Sequence, residues 1–534
     1  MSFTLTFHGA AGCTTGSCAH LVTDQANVLI DCGMFQGPKT RKQLNYQPFP
    51  FDPHAIDAVL LTHAHIDHSG LLPKLVRAGY RGPIYATAGT RDLCEVMLAD
   101  SAHIQESEVR FLNRRNEQRG RDAVEPIYST RDAARTIEQF QPVKLGETRQ
   151  AAKGITARYW EAGHILGSAS IEVTVEGPKG PTTLLFSGDL GTGLRDFLPD
   201  PQGPAGIDHL IVESTYGSRP RPPHDPAARR RSLAREVLEA KAAGGPLLIP
   251  AFAVERSQEL LTDLQILMRD GDIPQTDIFL DSPLAIEATE IFRRWGWNAA
   301  LDRNPFEDLV ASGRLQFLLE PSESDRLDRL RGWHIIMAAS GMCDAGRVRK
   351  HLKRLIWQRE ATVLLTGYQA VGTLGRILQE GASSVRIQGE EFKVRARVRA
   401  LETYSVHADQ SALAGWVQAR APVRGSIFLN HGEPEGLEGL KAALVEAGLP
   451  ADRLTIPALD QAFRLDTVDA SPSQEASPRR LLAGAGARPD WHNARARLLL
   501  ELNTKLESLP DDAAREAVIA ALARAVDAGV ATSR

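Results

Sequence analysis

The sequence predicts an α/β protein in which a sandwich of two sheets is interrupted by a second α/β domain. Residues 1–207 alternate short β-rich runs with glycine-rich turns. Residues 208–395 repeat a unit of strand, tight turn and helix, which is typical of a parallel sheet with ligand-binding turns. The first pattern returns over residues 396–458, so the middle region is predicted to be an insertion. Residues 459–534 read as a Ser/Pro-rich linker followed by a helical tail.

Shorter sequence patterns predict the individual strands and helices of these regions. The run IDAVLLTHAH is an apolar strand that ends in histidines, and residues 88–150 look helical and polar. In the middle region, GGPLLIPAFA predicts a strand and ERSQELLTDLQILMRDG predicts the helix after it. The segment SVHADQSALAGW predicts the start of a helix, and DAAREAVIAALARAVDA predicts an amphipathic helix in the tail.

Composition excludes several classes of protein. With 534 residues the chain is too long for one ordinary core. No apolar run reaches about 18 residues, and the first residues lack the pattern of a secretory signal, so we expect neither a membrane span nor export. The five cysteines include no Cys-x-x-Cys pair, which argues against a disulfide framework and fits a reducing cytoplasm. The net charge of −4 weakly opposes nucleic-acid binding, although basic residues concentrate in stretches such as 219–235.

The strongest chemical signal is the run HAHIDH at the end of a predicted strand. His63 and His65 are two residues apart, so at a strand end they can project the same way. Asp67 and His68 lie in the following turn and can reach a second point. Imidazole and carboxylate groups without thiolate favour Zn²⁺, with Mn²⁺ or Fe as alternatives. The spacing therefore predicts two metal ions a few Å apart.

Four further residues at strand ends can complete such a site. His164, Asp189 and His431 each follow a β-rich run, and the carboxylate of Asp189 can bridge two metals. Asp31 ends NVLID and can accept a proton from a ligating imidazole, which would fix the orientation of that ring. The alternative for each is an ordinary structural role: a satisfied polar residue, or a turn cap in the case of Asp31.

These motifs resemble the metallo-β-lactamase superfamily, whose HxHxDH signature matches HAHIDH. Glu213 in ESTYG, His407 in SVHAD and His431 in NHGE look like the three extra motifs of its β-CASP branch, which includes RNA-cleaving enzymes. The segments PAFAVERSQELL, DSPLA, SGMCDAGRV and GYQAVGTLGR are also similar to β-CASP segments. The resemblance covers roughly residues 1–458. It implies a metallo-β-lactamase αββα sandwich with an inserted β-CASP domain.

The resemblance also implies roles for the site residues. Two zinc ions are expected, with Mn²⁺ as the alternative. The first would be held by His63, His65, His164 and Asp189, and the second by Asp67, His68, Asp189 and His431. Among these, Asp67 is also expected to be catalytic, together with the acid/base pair Glu213 and His407. RNA-directed members carry histidine at the third extra motif, where DNA-directed members carry valine, so His431 points to RNA.

Substrate contacts are expected from the insertion. Ser340, Gly341 and Met342 lie between a predicted strand and helix, where backbone N–H groups attract a phosphate. A second such turn holds Tyr368, Gly372 and Thr373, and Arg256 and Arg347 are candidates for phosphate contact rather than surface ion pairs. The chain departs from the family where Glu255 replaces a glycine, and this carboxylate would tighten or obstruct a phosphate pocket.

The predicted function is a zinc-dependent RNA endonuclease that hydrolyses phosphodiester bonds of single-stranded RNA, with 5′ exonuclease action as an open addition. Three alternatives remain: a hydrolase of small esters or lactams, a DNA-directed nuclease, and an inactive RNA-binding scaffold. The inserted domain argues against the first, His431 against the second, and the complete set of ligand candidates against the third. Whether the chain forms a homo-oligomer is left open.

Overall fold

The computed structural model describes most of the chain. Its described residues are 3–178, 180–193, 198–221, 225–295, 305–367, 369, 372–466, 469–473, 480, 498, 502, 505–506 and 508–531. They belong to two compact units. Unit 1 comprises residues 1–36 and 44–480, and unit 2 comprises residues 37–43 and 481–534.

The first half of unit 1 supplies strands to two sheets. Sheet 1 takes β1 (Phe3–Phe7), β2 (Ala19–Val22), β3 (Asn27–Ile30), β4 (Ala58–Leu60), β5 (Ile84–Thr87) and β6 (Phe140–Val143). Sheet 2 takes β7 (Thr148–Ala152), β8 (Ile155–Glu161), β9 (Ala169–Val175), β10 (Thr182–Phe186) and β11 (His209–Glu213).

The insertion forms sheet 3, whose six strands all pair in parallel. In chain order its region contains β12 (Leu247–Pro250), β13 (Ile278–Leu280), β14 (Leu315–Phe317), β15 (Ile335–Ala338), β16 (Thr362–Leu365), the separate hairpin β17 (Ser384–Ile387) and β18 (Glu390–Lys393), and β19 (Arg397–Ala400). The strand order is β14-β13-β15-β12-β16-β19. Every residue of β12 is buried, as expected for a parallel strand covered on both faces.

The chain then returns to the first two sheets. Strands β20 (Ile427–Asn430) and β21 (Leu454–Thr455) extend sheet 2, and β22 (Gln461–Leu465) and β23 (Ala470–Pro472) extend sheet 1 beside β1. Sheet membership thus assigns β11 to the sandwich and β19 to the insertion, so the chain crosses between the domains a few residues after 208 and 396.

Helices cover the outer faces of the sheets. Unit 1 contains α2 (Ile66–Ser69), α3 (Leu72–Arg77), α4 (Ala88–Glu117), α5 (Thr130–Ile137), α6 (Pro226–Ala243), α7 (Arg256–Asp270), α8 (Pro283–Trp295), α9 (Pro305–Ala311), α10 (Pro321–Arg326), α11 (Val348–Leu355), α12 (Leu374–Gln379), α13 (Gln410–Gln418) and α14 (Pro434–Glu446). Short 3₁₀ turns lie at Gln43–Tyr46, Pro53–Ala55, Leu327–Arg329, Glu402–Tyr404 and Ala451–Arg453. Unit 2 contains α1 (Lys39–Lys42) and the predicted tail helix, α15 (Asp512–Ala531).

The core confirms the predicted αββα sandwich with an inserted α/β domain. Leu5 and Leu60 of sheet 1 pack with Ile171 and Leu184 of sheet 2 in one buried cluster between the sheets. Outside sheet 1 lie α3 and α4, and outside sheet 2 lie α13 and α14. Sheet 3 is likewise packed between helices, with α7 on one face and α11 on the other.

The helical prediction for residues 88–150 is only partly correct. Helices α4 and α5 end at Glu117 and Ile137, and β6 and β7 follow. In β6 only Phe140 and Val143 are buried, and β7 is an exposed strand at the edge of sheet 2, so neither shows a clear alternation of apolar residues. The run RLLLELNTKLESL, residues 497–509, also predicts an amphipathic helix, and it falls largely outside the described residues. Among the described residues, no helix combines the length and apolarity that crossing a membrane requires.

Candidate metal centre and active site

The candidate ligands all follow the carboxyl ends of strands. HAHIDH follows β4, and His164, Asp189 and His431 follow β8, β10 and β20. Strand β4 runs parallel to its neighbours in sheet 1, while β10, β11 and β20 run parallel in sheet 2. Because the two sheets pack face to face, these strand ends meet at one edge of the sandwich.

A first group of four side chains converges in the buried interior of this edge. His63 Nε2 and His164 Nε2 each lie 3.2 Å from His65 Nδ1. Asp189 Oδ2 lies 3.7 Å from His63 Nε2 and 3.6 Å from His164 Nε2. One candidate donor atom from each of the four lies within 4.8 Å of all the others.

A second group lies beside the first and shares the same aspartate. His68 Nε2 and His431 Nε2 are 3.1 Å apart, and Asp67 Oδ2 is 3.8 Å from His431 Nε2. Asp189 Oδ1 lies 3.3 Å from His68 Nε2 and 3.4 Å from His431 Nδ1. One oxygen of Asp189 therefore faces each group, which is the arrangement that a bridging carboxylate requires.

The residues fit divalent metal ions. Both carboxylate oxygens of Asp189 are buried, and among the described residues neither accepts a hydrogen bond. Metal–ligand distances of about 2.0–2.1 Å place tetrahedral ligand atoms roughly 3.4 Å apart, close to the spacings found in both groups. A buried carboxylate without a hydrogen-bond donor is costly unless a cation compensates it. The cluster is therefore compatible with a metal site.

Charge within the cluster suits ligation. Burial lowers the pKa of His63 and His164 well below the usual value and that of His65 to about 4, which favours the neutral imidazole that binds metals. Burial opposes ionisation of Asp189, but the neighbouring His431 and His68 outweigh it and hold the pKa of Asp189 well below its usual value.

Asp31 makes the contact predicted for it. Its Oδ2 lies 2.6 Å from His68 Nδ1, while its Oδ1 accepts hydrogen bonds from the backbone N and hydroxyl of Thr62 at 2.9 and 3.0 Å. The hydroxyl of Ser17 donates a further hydrogen bond to Oδ2 at 3.0 Å. The His68 ring is thus fixed with Nε2 toward the cluster.

Glu213 and His407 also lie together, at the edge of the cluster. His407 Nδ1 is 3.4 Å from Glu213 Oε1, and Glu213 accepts backbone hydrogen bonds from Leu190 at 2.7 Å and Thr215 at 3.2 Å. The His407 ring lies 4.5 Å from the His164 ring, and its side chain is 20% exposed. Burial disfavours its charged form, but Glu213 and Asp189 outweigh burial and raise the pKa of His407 above its usual value.

The two arginines that were candidates for phosphate contact, Arg256 and Arg347, make internal contacts. Arg256 is buried, and its Nη1 donates to the carbonyl of Thr366, so it braces the turn after β16. Arg347 donates to Asp281 Oδ1 at 2.7 Å and to the carbonyls of Leu318 and Leu319. The ion pair considered as the alternative for Arg347 is therefore present, and its partner is buried rather than exposed.

The predicted phosphate-binding turns differ from expectation in one respect. Ser340, Gly341 and Met342 follow β15, but α11 begins only at Val348, so they do not form the amino terminus of that helix. The Ser340 hydroxyl accepts a bond from the backbone of Ala345, and a Cβ on Gly341 would lie 2.9 Å from the Phe252 ring.

The second turn has a helix directly after it. Thr373 caps α12 by accepting a hydrogen bond from Arg376 N at 3.2 Å, and Gly372 precedes it with φ of +86°. Tyr368 lies outside the described residues. The hydroxyl of Thr373 is thus engaged with the helix it caps.

Glu255 occupies a position that favours glycine. It is buried with φ of +70° and ψ of −58°, and the backbone N of Arg256 donates to the carbonyl of Val254 at 2.9 Å across it. These features define a γ-turn of the rare, strained kind. The family's glycine at this position is therefore explained by backbone conformation.

Sequence reasoning missed two residues that follow Glu213. Thr215 Oγ1 lies 3.2 Å from His431 Nδ1 and supports that ring. The Tyr216 ring lies 5.9 Å from the His407 ring and carries the guanidinium of Arg221, 4.1 Å from its centroid. The available signal was their position, shortly after Glu213 and just before the basic stretch over residues 219–235.

Comparison with known families agrees with this geometry. The family model of the metallo-beta-lactamase superfamily matches residues 11–246, the Beta-Casp domain matches residues 257–378, and the Zn-dependent metallo-hydrolase RNA specificity domain matches residues 391–454. The chain belongs to the metallo-β-lactamase superfamily and to its β-CASP branch.

Individual relatives cover most of the chain. Ribonuclease TTHA0252 of Thermus thermophilus is 36% identical over 82% of this chain and 95% of its own length. An RNase J-like protein of Methanocaldococcus jannaschii is 32% identical over 80% of this chain and 92% of its own. Transcription termination factor FttA of Methanothermobacter thermautotrophicus is 29% identical, and the match covers 78% of this chain and 65% of that longer protein.

Proposed function

We propose that this protein is a zinc-dependent ribonuclease that hydrolyses phosphodiester bonds in single-stranded RNA. The observation that carries the proposal is the buried carboxylate of Asp189, which faces two groups of imidazoles beside the Glu213–His407 pair. The ribonuclease relatives and the RNA specificity domain support RNA as the substrate.

The metal ligands follow from the two groups. His63, His65, His164 and Asp189 would hold one zinc ion, and Asp67, His68, Asp189 and His431 would hold the other. What the bound cations contribute is charge, which lowers the pKa of water and offsets the charge that develops on the phosphoryl oxygens. Asp31 keeps His68 oriented for ligation.

His407 serves as the general acid. Its Nδ1 faces Glu213, so its Nε2 is the atom left to meet a substrate, and Glu213 keeps the ring protonated. The leaving oxygen of a cleaved phosphodiester needs a proton, and a histidine whose pKa is raised supplies one near neutral pH. Glu213 is itself held by two backbone N–H groups, so the pair is rigid.

A cleavage assay tests this function. Zinc-loaded full-length protein is incubated with end-labelled single-stranded RNA and with DNA of the same sequence, and the products are separated on a gel. We expect RNA to be cut and DNA to remain intact, with His407→Ala as a matched, metal-retaining control that cuts slowly. Equal cleavage of the RNA and the DNA would contradict the assignment of RNA as the substrate. Ester hydrolysis without nucleic-acid cleavage would favour the small-ester alternative.

Two further assignments belong to this proposal. The sandwich comprises β1–β11 and β20–β23, and the insertion that binds RNA comprises β12–β19; the linker and tail follow β23, so the sandwich extends past residue 458, after which the linker was expected to begin. All five cysteines are buried, and no disulfide joins them in the described part of the chain, which supports a reducing compartment such as the cytoplasm.

A further inference from the structure

The segment that leaves β11 carries an arginine stacked on an aromatic ring beside the proposed acid. Tyr216 follows Glu213 by three residues and is mostly buried. Its ring lies 5.9 Å from the ring of His407, and the guanidinium carbon of Arg221 lies 4.1 Å from the centroid of the Tyr216 ring. The cation is therefore one aromatic ring away from His407.

The backbone of Arg221 is anchored independently of its side chain. Its N–H donates to Asp409 Oδ2 at 3.0 Å, and Oδ1 of the same carboxylate caps α13 through Ala412 N at 2.8 Å. Because His407 lies two residues before Asp409, one short segment holds both the proposed acid and the backbone of Arg221. The position of Arg221 relative to His407 is thus determined by a rigid connection.

Apart from its stacking on Tyr216, the guanidinium of Arg221 has no charged partner in the described part of the chain. Its Nη2 is buried and makes no hydrogen bond, and no carboxylate of the described residues lies within 4.0 Å of its guanidinium. A buried N–H group without an acceptor is costly, so such a group indicates a missing partner. By contrast, Arg256 and Arg347 direct their guanidinium groups to internal oxygens.

We propose that Arg221 binds an internal RNA phosphate next to the scissile one, with Tyr216 as the ring that holds the guanidinium in place. This inference rests on the proposed ribonuclease function and deepens it. A guanidinium matches a phosphate with two parallel hydrogen bonds, and stacking reduces the side-chain entropy lost on binding. The contact anchors the RNA chain beside His407.

Kinetics of the full-length, zinc-loaded protein on single-stranded RNA test the proposal. Arg221→Met is expected to raise KM by about 10-fold or more while kcat changes little, since one charge-assisted contact is lost. The slope of log KM against log salt concentration should fall by about 0.7, the value for one phosphate of a single strand. Arg221→Lys keeps the charge and should restore the salt slope, which separates the role of the charge from any folding defect.

Arg158→Met is the matched control. Arg158 also stacks on an aromatic ring, 4.2 Å from the centroid of Trp160, but its Nε donates to the carbonyl of Gly146. This variant should leave KM and the salt slope at wild-type values. An equal effect of both variants would mean that loss of any stacked arginine perturbs the enzyme, and the proposal would fall.

Two other results distinguish failure of this proposal from failure of the proposed ribonuclease function. If wild-type protein cleaves RNA and Arg221→Met has the same KM and salt slope, Arg221 is not a phosphate ligand and the ribonuclease assignment stands. If wild-type protein does not cleave RNA, both assignments fail. The effect should be equal on 5′-hydroxyl and 5′-monophosphate RNA, and an effect confined to the latter would overturn the assignment to an internal phosphate.

Discussion

Asp189 of the sandwich and Asp281 of the insertion are both almost fully buried, but their carboxylates are satisfied in different ways. Asp281 receives donors from His351 and Ser324, each at 2.6 Å, and from Arg347 at 2.7 Å. Asp189 receives no hydrogen bond from the described residues, although imidazole nitrogens lie 3.3–3.7 Å from it. The carboxylate of Asp281 organises a loop, whereas that of Asp189 is arranged for a ligand.

The contrast teaches how to interpret polar residues at strand ends. Position after a parallel strand is shared by both aspartates, so position alone does not identify a functional group. What separates them is whether the protein supplies the partner that a buried charge needs. Substitutions of His65, His407 and Arg347 test this distinction.

His65→Ala should abolish cleavage and leave the fold intact. Its ring contacts both His63 and His164, so its removal opens the first metal group. The loss of activity should exceed the roughly 10- to 100-fold typical for groups that only support a ligand. Initial rates, with metal content measured by elemental analysis, check the expectation.

The matched control for this variant is His54→Ala. His54 is exposed and, among the charged groups of the described residues, contacts only Asp52, so its removal should change neither rate nor metal content. A His65→Ala protein with full zinc and wild-type cleavage would show that the first group is not a metal site.

His407→Ala should slow cleavage by about 10²- to 10⁴-fold, the usual contribution of a general acid. Because the two proposed metal groups are complete without His407, bound zinc should stay at the wild-type level. Rates on RNA and metal analysis of the same sample test both parts. Loss of zinc with activity would instead make His407 a metal ligand.

Arg347→Met should lower stability and leave RNA binding alone. Asp281 would keep His351 and Ser324 but lose its cation, so the free energy of unfolding should fall by about 1–3 kcal/mol. Urea unfolding monitored by circular dichroism gives this value, and cleavage kinetics should show an unchanged KM. A raised KM with unchanged stability would make Arg347 a substrate contact, and Asp281 would then no longer be an example of a carboxylate with a purely structural role.

The sequence predicted the fold and the members of the cluster well for a physical reason. HAHIDH places four candidate ligands within six residues, and the other candidates each follow a recognisable apolar strand. Parallel strands bring their carboxyl ends to one edge, so strand prediction is enough to gather distant residues such as His164 and His431. The same reasoning placed Asp31 beside a candidate ligand imidazole, and the structure identifies that imidazole as His68.

Sequence reasoning failed where the answer depended on a distant partner. Nothing near Arg347 reveals that its guanidinium meets Asp281, 66 residues earlier in the chain. The basic stretch at 219–235 was visible, but the stacking of Arg221 on Tyr216 depends on tertiary packing. The strand β7 was missed because an edge strand with mostly exposed residues lacks the alternation that marks a buried one.

The most direct test of the central claim is a crystal structure of zinc-replete protein with anomalous data collected at the zinc edge. We predict two anomalous peaks, one next to each carboxylate oxygen of Asp189, with His63, His65 and His164 around the first and His68 and His431 around the second. A map without peaks at this position, in protein that cleaves RNA, would contradict the account.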